Sequence, residues 1–100
     1  MQGKLEGYLL DAEHPVGRHK ARVFLAALGI RSANWRHLRD AILEGLTDSP
    51  VSAIESTSYG LRCTIVMAVE GLNGERRDIV TAWLIEEGRP PRFITAYVDL

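Results

Sequence analysis

The run His14-Pro15-Val16-Gly17-Arg18-His19-Lys20-Ala21-Arg22 sets imidazoles within a few residues of permanent cations. Phosphate-ester chemistry needs that mixture: a group that passes a proton near neutral pH, and fixed positive charge for the phosphoryl oxygens. The run opens a longer basic segment. Residues 14 to 39 hold all three histidines (His14, His19, His37) and six of the twelve Lys and Arg residues, namely Arg18, Lys20, Arg22, Arg31, Arg36 and Arg39, with no Asp or Glu. The segment carries a formal +6 and the remainder −7, so the net charge of −1 conceals a local attraction for anions.

Other chemistries have less support. Cys63 is the only cysteine and sits in the apolar run Cys63-Thr64-Ile65-Val66-Met67, which reads as a buried structural thiol rather than a nucleophile. Histidine spacings of five and eighteen match neither a helical i, i+4 ligand pair nor a Cys/His finger, so no metal and no cofactor is expected. No apolar run approaches the roughly 20 residues needed to span a bilayer, and no signal pattern opens the chain. The chain therefore reads as cytoplasmic, or as the terminal module of a larger secreted protein.

One hundred residues, 46% apolar and 25% charged, fit a single globular domain over 1-100. Its expected class is α+β. Residues 1-17 make an arm and loop, 18-46 two helices, and 51-98 a four-stranded sheet. Ala21, Phe24, Leu25 and Leu28 predict a helix over 18–28 that stops at Gly29. Ser32 is a candidate N-cap for a second helix over 33–46 with Trp35, Leu38, Ile42, Leu43 and Leu46 as its buried stripe. Strands are predicted at 51–58, 61–69, 77–85 and 92–98. Connections of two to six residues cannot carry parallel crossovers, so the sheet should be an antiparallel meander with two N-terminal helices packed on one face.

Strand alternation divides the last two strands into Val80, Ala82, Leu84 with Ile94, Ala96, Val98, and Thr81, Trp83 with Phe93, Thr95, Tyr97. If the first set lies under the helices, Trp83, Phe93, Tyr97, Thr81 and Thr95 line the uncovered face, joined by Arg62 and Thr64. Rings beside hydroxyls and Arg suit single-stranded nucleic acid, since every base offers a face to stack on. The same rings would equally serve as packing beneath the N-terminal arm or a partner chain.

The segments Lys4-Leu5-Glu6-Gly7-Tyr8-Leu9-Leu10-Asp11, His14 to Phe24, Leu28-Gly29-Ile30, Trp35, Tyr59-Gly60, Asn73-Gly74, Thr81-Ala82-Trp83 and Pro91 to Tyr97 together resemble a small bacterial and phage domain family. Its sharpest element is His-Pro-x-Gly-x-x-Lys-Ala. That family resembles the barnase, EndoU, colicin and RelE-like toxin ribonucleases. The resemblance implies a metal-independent endoribonuclease in which the 2′-hydroxyl attacks the adjacent phosphate. His14 and Lys20 match the family's histidine and lysine, and His14 could serve as acid or base. Lys20 would hold the phosphate with Arg18 or Arg22, and Thr95, with Thr81, would orient it. His19 stands where the family more often has a small polar residue.

Each residue has a plainer reading. His14 could hold a loop through backbone hydrogen bonds, Lys20 could be a solvated charge, Arg36 and Arg39 a solvated helix face, and Asn73-Gly74 a turn. The alternative function is a non-catalytic RNA- or protein-binding module, of interaction or immunity type, that uses the 14–39 segment and the aromatic face. The partners expected are RNA and a cognate acidic antitoxin or immunity protein.

Overall fold

The computed structural model describes residues 1–100, beginning with a helical run in place of the expected arm. An α-helical turn, α1 (Gln2–Lys4), widens into a π-helical turn over Leu5–Leu9. The wider turn places Leu5 and Leu9 fully inside the core. Gly7 weakens the periodicity expected of a helix interior, which is why the run was legible only as a short apolar stretch. The structure is mixed α+β with three α-helices, one more than the two expected, and a four-stranded antiparallel sheet.

Helix α2 (Arg18–Leu28) has the predicted bounds. Gly29 at φ 67 ends it, and the Ile30 N–H reaches the Phe24 carbonyl at 3.4 Å. The β2–β3 turn closes the same helix end: Leu72 N–H donates to the Leu28 carbonyl at 2.8 Å, and the Asn73 side-chain amide donates to the Ala27 carbonyl at 3.3 Å. Asn73 thus does more than shape its turn. Helix α3 (Trp35–Asp48) starts two residues later than expected, because Ser32–Asn34 form a 3-10 turn. The Ser32 hydroxyl does not cap α3. It donates to the Glu6 carbonyl at 2.6 Å and ties the N-terminal run to that turn.

Strands β1 (Val51–Thr57), β2 (Gly60–Glu70), β3 (Arg76–Ile85) and β4 (Arg92–Val98) pair in sequence order, all antiparallel. Strand β1 is an edge strand whose first six residues are exposed. It pairs only with β2, and its register is irregular between Val51 and Ala53. Helices bury Cys63, Ile65, Met67 and Val69 of β2 with Ile79, Thr81 and Trp83 of β3. The face expected to be open on β3 is therefore the covered one. On β4 the register skips Ile94, so that Trp83 faces Phe93 while Ala82 faces Thr95. This bulge sends Phe93 inward with Ala96 and Val98, leaving Tyr97 exposed. Leu25 and Leu43, placed on the buried helix stripes by spacing, are exposed.

Thr81 is the only buried polar residue. Its hydroxyl donates to the Ile65 carbonyl at 2.8 Å and accepts the Trp83 indole N–H at 2.9 Å. Thr81→Val keeps the shape and removes that acceptor, so a loss of about 1–3 kcal/mol is expected in urea unfolding. A loss below the range for one buried unpaired donor would mean that water replaces the hydroxyl.

Candidate phosphate-binding site

The π-helical turn and α2 meet where the basic run begins. Gly17 is buried there against the backbone carbonyl of Tyr8. Only a residue without a Cβ lets the chain pass this close. Asp11 starts the approach: its side chain accepts the Glu13 N–H at 3.0 Å, and its carbonyl accepts the His14 N–H at 3.2 Å.

His14 then holds the loop with its ring. Nδ1 accepts from the backbone N–H groups of Val16 and Gly17, each at 3.0 Å. The loop-holding reading describes this nitrogen, and it fixes the tautomer: with Nδ1 an acceptor, the neutral ring carries its proton on Nε2. His14 is thereby set up to donate from Nε2. Its ring meets Tyr8 edge-on with centroids 4.7 Å apart, and the Lys4 ammonium lies 5.7 Å from the Tyr8 centroid.

One helical turn on, the Lys20 ammonium donates to the Thr95 hydroxyl at 3.4 Å, joining residues 75 apart in sequence. Arg18, His19 and Arg22 are exposed on the same helix, and Tyr97 is exposed two residues beyond Thr95. Thr81 and Trp83 do not join them. Both were expected on the open face, and both lie in the core with their polar atoms bonded to each other.

The second half of the basic segment is engaged elsewhere. Arg36 and Arg39 place their guanidinium carbons 4.7 and 5.1 Å from the Trp35 ring, and Arg39 pairs with Asp40 at 2.8 Å. Arg36 is exposed and Arg39 partly so, as a solvated helix face requires, and both also stack on the indole. His37 bonds the Glu70 carbonyl at 2.8 Å through Nε2. Within the 14–39 segment, the cations on the helix that carries the Lys20–Thr95 contact are Arg18, Lys20 and Arg22 of α2. Sequence spacing did not bring Tyr8 and Lys4 into this neighbourhood, because the α-helical turn that carries Lys4 and the π-turn that carries Tyr8 set their positions. The only sign was the Gly7-Tyr8 pair in an apolar arm.

Among solved structures, the chain is similar to one in the "Contact-dependent growth inhibition toxin - immunity protein complex from Klebsiella pneumoniae 342". The TM-score is 0.73 at 17% identity, over 98% of this chain and 87% of that one. At that identity the likeness is one of fold. No curated relative matches the chain. Over residues 1–100 it matches the family described as "Domain of unknown function (DUF6883)", and it belongs to that family.

Proposed function

We propose that this protein is the toxin component of a toxin–immunity system and acts as a metal-independent endoribonuclease. The Lys20–Thr95 contact carries the reading. It joins a cation and a hydroxyl from opposite ends of the chain, at the start of the helix that follows the loop in which His14 keeps Nε2–H free to donate. The fold shared with a chain of a toxin–immunity complex supports the toxin setting.

In this reading Lys20 and Thr95 hold the scissile phosphate, and Arg18 and Arg22 add charge. His14 donates from Nε2 to a phosphoryl oxygen. It is not the base, since Nδ1 is occupied and Nε2 bears the proton. The 2′-hydroxyl proton passes to His19, whose exposed ring makes no hydrogen bond within the protein. The 2′-oxygen attacks phosphorus, the bond to the 5′-oxygen breaks, and that oxygen leaves with a proton from Lys20. The products are a 2′,3′-cyclic phosphate and a 5′-hydroxyl.

The test is cleavage of total RNA and transfer RNA in excess EDTA. Lys20→Ala is expected to reduce the rate about 10²- to 10³-fold, and His19→Ala about 10²- to 10⁴-fold. His14→Asn separates chemistry from loop-holding, because an Asn side-chain oxygen can accept from the same two N–H groups. Loss of cleavage with unchanged unfolding would assign His14 a chemical role. Intact RNA with the wild-type protein would end the nuclease reading. It would leave a second one, an interaction domain, which the exposed β1 edge with Ile54 63% accessible favours.

A further inference from the structure

A second cationic surface lies outside the His14–Lys20 site, where the β1–β2 turn meets the start of β4. It is a groove of about 760 Å³. Lys4, Arg62 and Arg92 line it, and none of its nine lining residues is acidic. Register explains the arrangement. Arg62, Leu84 and Arg92 face one another across β2, β3 and β4, so two Arg residues flank buried Leu84 on the sheet face opposite Trp83. At roughly 4.8 Å per strand their backbones stand about 10 Å apart. Arg92 has one partner, Glu86 at 3.4 Å, with the arginine exposed and the carboxylate half-buried. Glu55 lies across from Arg62 on β1 without forming an ion pair.

Tyr59 stands at the groove's rim, 79% exposed. Its turn is fixed: Thr57 Oγ1 accepts the Tyr59 N–H at 3.2 Å and donates to the Gly60 carbonyl at 2.7 Å, with Gly60 at φ 139. An aromatic ring on a hydrogen-bonded turn, largely exposed and sharing a groove with cations, matches what unpaired bases stack on. The groove also runs toward the candidate site. Lys4 sits over the Tyr8 ring that meets His14, and Ile94 of the groove precedes Thr95.

We propose that this groove is a subsite for single-stranded RNA flanking the phosphate held by Lys20 and Thr95. Tyr59 stacks one base, while Arg62, Arg92 and Lys4 take the neighbouring phosphates. The inference rests on the ribonuclease reading for the position of the groove along the substrate, and stands apart from it for binding itself.

Anisotropy titrations with a short single-stranded RNA, 2′-O-methylated throughout and so uncleavable, test it at low salt. Tyr59→Ala is expected to weaken binding roughly 5- to 150-fold, the range for loss of one stacked base. Arg62→Ala with Arg92→Ala should weaken it further and flatten the salt dependence. Arg77→Ala, exposed and outside the groove, should bind as wild type. Groove-dependent binding by a protein that never cleaves would keep the subsite and end the nuclease reading. Cleavage and binding unchanged in the Tyr59 and Arg62/Arg92 variants would do the reverse. An acidic polypeptide that competes as strongly as RNA, with no effect of Tyr59→Ala, would overturn the subsite in favour of a protein partner.

Discussion

Trp83→Ala is expected to cost about 3–5 kcal/mol of unfolding free energy, the range for removing a large buried aromatic. That is a large share of the roughly 5–15 kcal/mol that holds a native protein together. The midpoint should fall by roughly 12 °C or more. Trp83 is 6% exposed, packs edge-on to Phe93 with centroids 5.2 Å apart, and donates its indole N–H to Thr81. Thermal unfolding of the variant decides between this role and a stacking platform. A platform residue would lose RNA affinity while the protein kept its melting temperature, and that result would mean that the helices cover the opposite face of the sheet.

The second large effect is expected at Gly17. Its φ of −74 suits any residue, so room and not backbone conformation is at issue. A Cβ there would fall on the Tyr8 carbonyl, 2.8 Å from its carbon. The obstacle is backbone, which cannot swing aside as a side chain does. Gly17→Ala should cost about 3 kcal/mol, the upper part of the overpacking range. It should also reduce RNA cleavage, because the displaced Gly17 N–H is one of the two that hold His14. Gly7→Ala supplies the contrast. Nothing lies within 4 Å of its added carbon, and a helical Gly exchanged for Ala gains about 0.5–1 kcal/mol. Equal urea midpoints for the two variants would mean that the Tyr8–Gly17 approach is looser than it stands here.

These two residues also mark where sequence reading stopped. Helix α2, the strand order and the meander were legible, because each rests on local periodicity and on connections too short for any other topology. The covered face of β3 was not. Val80, Ala82 and Leu84 are as apolar as Ile79 and Trp83, and the Thr81–Ile65 and Trp83–Thr81 hydrogen bonds make burial of the polar set inexpensive. Phe93 was lost to the skipped residue at Ile94, which no residue type announces. In the candidate site, His14, Lys20 and Thr95 were named from their types and from a family likeness. The Lys20–Thr95 contact gives two of them a shared place. The tautomer of His14 and the approach of Tyr8 follow from hydrogen bonds and ring positions that one-dimensional spacing does not encode.

The edge strand bears on behaviour in concentrated solution. Val51–Thr57 leaves one whole side of its backbone without a partner, and Val51 and Ile54 stand 48% and 63% exposed along it. A second molecule could dock there strand to strand and start a growing stack. Two features oppose that self-association. Glu55, the one charge in the strand, would have to be brought against a neighbouring strand, and the irregularity between Val51 and Ala53 spoils the flat hydrogen-bonding row that a stack requires. Colloidal stability thus depends on a carboxylate and a kink in the edge strand, and exchanging Glu55 for an apolar residue would leave only the kink in place.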